Sequence, residues 1–89
     1  MRIVIIDCCT IEDRDHLHTA MAEALAFPAW YGKNLDALHD CLTEVSDSTQ
    51  IVFNSWNHLE ETLGRYASAL QRAMTHAQKE NPCIEILFD

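Results

Sequence analysis

Three short apolar runs limit what this chain can fold into. Ile3-Val4-Ile5-Ile6, Ile51-Val52-Phe53 and the segment from Cys83 to Phe88 have strand length and are rich in β-branched or aromatic residues. Long stretches with apolar residues at helical spacing separate them. In the first stretch, Leu17, Met21, Ala24 and Leu25 recur on one helix face. Thr10 is the expected N-cap there, with Asp13 three residues on, and Pro28 the expected stop. Trp30 to Lys33 reads as a loop. Asn34 then caps a second helix, whose stripe is Leu35, Leu38 and Leu42. Ser55 is placed to cap a short helix carrying Trp56, Leu59 and Leu63, and Gly64 to end it. Tyr66, Leu70, Ala73, Met74 and Ala77 define a longer helix, stopped at Asn81-Pro82.

The order is β-α-α-β-α-α-β. Strands joined through helices cross over right-handedly and lie parallel. The expected class is α/β, a three-stranded parallel β-sheet packed with about four helices. The first run reads as a buried strand. Eighty-nine residues suit one domain spanning 1–89.

Charge narrows the function. Six Lys and Arg against fourteen Asp and Glu give −8. Phosphate binding needs clustered cations, so nucleic acid is a poor direct partner, and so is an anionic membrane. A basic protein or cationic ligand fits better. The apolar run after Arg2 is too short for a signal core or a membrane span, so the expected compartment is the cytoplasm. Cys8, Cys9, Cys41 and Cys83 show no CxxC spacing and read as reduced thiols. No glycine-rich phosphate loop is present, which removes nucleotide enzymes.

The informative segment runs from Trp30 to Thr43. Asp36, Asp40 and Glu44 follow at i, i+4 and i+8, on the helix face opposite the leucine stripe. Like charges at that spacing repel by a few tenths of a kcal/mol per pair. One reading is a solvated face. The other is a carboxylate patch that docks onto a cationic pocket, with Trp30 and Tyr31 upstream as interface anchors.

Trp30-Tyr31-Gly32-Lys33-Asn34-Leu35-Asp36-Ala37-Leu38-His39-Asp40-Cys41-Leu42-Thr43 resembles the signature segment of the barstar family, intracellular ribonuclease inhibitors. The likeness extends more weakly to His16-Leu17-His18, to Leu25-Ala26-Phe27-Pro28 and to Cys83 with the tail after it. The resemblance implies a barstar-like fold and a stoichiometric 1:1 inhibitor, without cofactor or turnover. Its expected partner is a basic extracellular-type ribonuclease or a ribonuclease toxin domain. It implies that Asp40 occupies the enzyme's phosphate pocket, that Asp36 and Thr43 add polar contacts, and that Trp30 packs near the catalytic histidine. Tyr31 belongs to the same anchoring loop, and Gly32 and Asn34 shape the loop-helix junction.

The sequence departs from that pattern at the edge of this surface. His39 stands where the family has tryptophan. Glu44-Val45 replaces a Gly-Trp pair, leaving Glu44 at the rim. An acidic contact on the family's last helix corresponds to His76 or Glu80. These departures keep open a second reading: an immunity or binding protein for another basic partner without ribonuclease activity. His39 either makes an interface contact or fills a half-exposed position. His16 and His18, at i and i+2, face different sides of a helix and make no metal pair. Cys41 reads as a small core residue. The chain offers no nucleophile-base pair at helical spacing, so an enzyme is not expected.

Overall fold

In the computed structural model, which describes residues 1–89, the elements run β1 (Arg2–Asp7), α1 (Arg14–Leu25), α2 (Leu35–Thr43), β2 (Thr49–Asn54), α3 (Trp56–Leu63), α4 (Arg65–Glu80) and β3 (Ile84–Phe88). A single 3-10 turn at Cys8–Thr10 follows β1. The sheet order is β1-β2-β3, and both pairings are parallel. Val4 lies opposite Ile51, and Ile51 opposite Ile86. This is the α/β arrangement that the spacing of strands and helices predicts.

Val4, Ile6, Ile51, Phe53, Ile84 and Ile86 form the buried face of the sheet. Leu17, Met21, Leu38, Leu42, Leu59, Leu70 and Met74 descend onto it from the four helices, and each is fully buried. Helix α2 packs on α4, which in turn packs on α3 and β3. The expectation of a buried first strand is corrected here. Ile3 and Ile5 are 60% and 59% exposed, because successive strand side chains alternate faces and the helices cover one face of β1.

Two helix boundaries also differ from expectation. The N-cap of α1 is Asp13, whose carboxylate accepts from His16 N at 2.7 Å; Thr10 instead closes the 3-10 turn onto Asp7 O at 2.9 Å. Helix α1 ends at Leu25, before Pro28, with Ala26 left-handed at φ 56°. Ser55 does stand at the N-cap of α3. Its own left-handed backbone leaves the side chain without a capping bond.

One polar group lies deep among the helices. His18 on α1 is 1% exposed, and both its ring nitrogens are engaged. Nδ1 is 2.6 Å from the Tyr31 hydroxyl, and Nε2 is 2.6 Å from the Tyr66 hydroxyl. A neutral imidazole donates from one nitrogen and accepts at the other, so it satisfies both phenols at once. Burial pushes the His18 pKa below 6.5, and Lys33 adds to the effect, although Asp15 opposes it. Burial likewise raises both tyrosine pKa values.

The unfolded chain therefore takes up a proton on His18 more readily than the folded one. The resulting stabilisation is complete above about pH 6.5 and declines as the pH falls from there towards the lower folded-state pKa. His18→Gln is expected to lower stability at pH 7.5 by about 1–3 kcal/mol, the usual result of leaving a buried hydroxyl unpaired. The gap between wild type and variant should narrow towards pH 5, as read by urea denaturation. A constant gap would show that His18 does not titrate on unfolding.

Candidate acidic interface

The loop before α2 is built around that histidine. Tyr31 is buried, 7% exposed, and packs against Phe27 in a tilted pair with ring centroids 4.9 Å apart. Its backbone N–H donates to Pro28 O at 3.0 Å and closes the turn. With Tyr31 turned inward, its neighbour Trp30 projects outward and is 77% exposed. The two aromatics thus divide between them what the sequence offered as a pair of anchors. Trp30 is available to another molecule, and Tyr31 holds the loop.

Asn34 sets the start of α2. Its Oδ1 accepts from Ala37 N at 2.7 Å, and its Nδ2 donates back to Gly32 O at 3.2 Å. Gly32 leaves little room for a side chain. A Cβ there would sit 3.2 Å from Asn34 Nδ2 and 3.4 Å from Ala37 Cβ, crowding the cap. Lys33 takes the left-handed conformation at φ 52° and pairs with Asp15 at 3.5 Å on the surface. At the other end of α2, Asn81 is buried and donates to Leu42 O at 2.8 Å and Val45 O at 2.9 Å. Both helix ends are therefore pinned by asparagine side chains.

Between those pins, α2 divides cleanly by face. Leu38, Cys41 and Leu42 are buried, whereas Asp36, Asp40 and Glu44 are exposed. The Asp40 side chain is 82% exposed. Neither Asp36 nor Glu44 has an ion-pair partner, and the nearest cation-capable group to Asp40 is His39 Nδ1 at 3.9 Å. Asp36 benefits from the positive end of the helix dipole, but Glu44, at the C-cap, lies at the negative end.

Trp30, Gly32, Asp40, Thr43 and Glu44 line one open concavity, with Ala37 and Cys41 at its floor. Thr43 donates its hydroxyl to Asp40 O at 3.0 Å. Asp36 falls outside this hollow, in a neighbouring depression with Lys33 and Asn34. Burial and the nearby Glu44 and Asp40 carboxylates raise the Cys41 pKa, so the thiol stays protonated at neutral pH and is no nucleophile. Burial and Asp7 likewise push Cys8 up to about 11.

His39 faces the other way, towards α4. Its Nε2 is 3.2 Å from Glu80 Oε2, and its ring stacks on His76 at 5.5 Å between centroids. His76 Nε2 is in turn 3.6 Å from Glu80 Oε1. Sequence reasoning treated His76 and Glu80 as alternative contacts, yet the fold joins both to His39. The i, i+4 spacing of His76 and Glu80 was visible in the sequence; the approach of α2 was not.

The asparagine pins differ in their surroundings. Asn34→Ala is expected to cost about 1 kcal/mol, as for other N-caps. Asn81→Ala removes bonds to two carbonyls from a buried position and should cost more, about 1–3 kcal/mol. Thermal unfolding of both variants checks this order.

Comparison with known proteins places the whole chain in a family. The family model described as Barstar (barnase inhibitor) matches residues 1–88. The chain is 38% identical over 81 residues to a Bacillus subtilis (strain 168) protein named "Putative ribonuclease inhibitor YrdF", covering 90% of this chain and 89% of that one. Both descriptions are of inhibitors and not of enzymes. By the extent of the family match and the identity to this relative, the chain belongs to the barstar family.

Proposed function

We propose that this chain is a stoichiometric protein inhibitor of a basic ribonuclease, which it blocks with the acidic face of α2 and the adjoining Trp30 loop. The observation that carries the reading is the shared hollow. There an exposed, unneutralised Asp40 carboxylate stands beside an exposed tryptophan on a rigidly capped helix. A ribonuclease site is lined with cations that stabilise a phosphate in the transition state. A carboxylate presented at fixed geometry pairs with the same groups. The family match and the name of the Bacillus relative support a ribonuclease as the target.

Each residue then has a role. Asp40 mimics the phosphate, Asp36 adds a second acidic contact, and Trp30 packs on the enzyme. Thr43 and Glu44 form the rim, with His39 at the α4 edge. Gly32, Asn34 and the buried Tyr31 hold the loop and helix in register. The net charge of −8 steers encounter with a basic partner. The inhibitor acts as a single 1:1 unit in the cytoplasm, against either a secreted ribonuclease of the same cell or a ribonuclease toxin domain. No helix is long and apolar enough to cross a membrane. A second reading keeps this surface but gives it a basic partner without ribonuclease activity. His39 and Glu44, which depart from the signature segment, favour it.

Titration of residual RNA cleavage separates the readings. Wild type, Asp40→Ala, Glu60→Ala and Glu61→Ala are mixed with a panel of small microbial guanyl-specific ribonucleases. Stoichiometric inhibition by wild type is expected, weakened by about two to four powers of ten in Asp40→Ala, because the enzyme's buried cations lose their partner. Glu60 and Glu61 lie on α3, away from the hollow, and their variants should match wild type. Equal effects at all three positions would rule out phosphate mimicry. Binding of a basic partner without inhibition of any ribonuclease would favour the second reading.

A further inference from the structure

We propose that His39, His76 and Glu80 form a binding site for a divalent transition metal of the zinc class, where α2 crosses α4. The donor set is two imidazoles and one carboxylate, a combination well suited to zinc. The three donor atoms all lie within 4.8 Å of one another. Ligand atoms about 2.1 Å from a tetrahedral ion are about 3.4 Å apart. His39 Nε2 is 3.2 Å from one Glu80 oxygen, Oε2, and His76 Nε2 is 3.6 Å from the other, Oε1, so the carboxylate reaches both imidazoles. The two rings now stack, and His76, which is 68% exposed, turns out of that stack to bring its Nε2 onto the same ion as His39 Nε2.

The state of His39 Nε2 adds a second argument. This atom is shielded from solvent and makes no hydrogen bond. The Glu80 carboxylate lies close to it but off the axis of the nitrogen's in-plane orbital, so proximity does not satisfy it. A buried polar atom left without a partner is costly, and a metal on that axis would use it. The other ring nitrogen, Nδ1, faces Asp40 Oδ1 at 3.9 Å. His76 and Glu80 are exposed, so solvent can reach the remaining coordination position.

This site goes beyond the inhibitor reading and is tested on the isolated protein, so neither result depends on the other. Zn2+ is titrated calorimetrically into wild type, His39→Gln, His76→Gln, Glu80→Gln and Cys9→Ser, the last because the Cys9 thiol is exposed. Wild type is expected to bind one Zn2+ saturably. Each of the first three variants should bind at least about tenfold more weakly, and Cys9→Ser should match wild type. In parallel, Zn2+ should raise the Tm of wild type and not that of His76→Gln, a surface change that leaves the core intact. Absence of saturable binding by wild type would overturn the proposal. So would binding that survives both histidine substitutions or depends on Cys9.

Discussion

Much of this structure depends on one buried imidazole. His18 bonds to hydroxyls from two directions: Tyr31 belongs to the loop before α2, and Tyr66 to the first turn of α4. Three separate pieces of chain meet at a single five-membered ring. Apolar packing alone would tolerate small slides between α1, α4 and the loop. Two hydrogen bonds to fixed ring positions do not, because a shift of one partner leaves a group unpaired in a dry place. Burial favours the neutral ring, which donates to one phenol and accepts from the other. The outward projection of Trp30 follows from the inward fixing of Tyr31.

Helix α2 shows how such a scaffold is used. Its covered side is leucine and cysteine, and its open side carries three acids without a neutralising partner. Asp36 sits where the helix dipole welcomes an anion, whereas Asp40 and Glu44 do not. A sequence shaped for stability alone would spread the charge or interleave lysine. The helix is held despite this by Asn34 at one end and Asn81 at the other. Binding surfaces commonly carry such local costs, and the rest of the fold offsets them.

The positions of strands and helices were legible because hydrophobic period is a local property. The Asn34 cap was legible for the same reason: a capping side chain acts within three residues. The Asp13 cap was missed because Thr10 and Asp13 both have suitable side chains, and only the 3-10 turn decides between them. Four consecutive β-branched or apolar residues in β1 could not reveal that one face of the strand is bare. Trp30 and Tyr31 look alike in sequence, and what separates them is a histidine thirteen positions before the tyrosine. The meeting of His39 with His76 and Glu80 depends on the crossing of two helices, which no local pattern encodes.

The all-parallel sheet has a consequence for how the molecule is made. Arg2 pairs with Thr49, and Thr49 with Ile84, so no strand can close a hairpin with its neighbour in the chain. During synthesis β1 leaves the ribosome first and then waits for two helices before β2 arrives. Helix α2 waits longer still, since β2 and α3 come before α4, the helix it packs on. Contacts this distant in sequence slow folding, because long loops must close before anything is gained. The acidic face therefore acquires its rigid form only after α4 has been made, and a chain cut before α4 carries the charges without the shape.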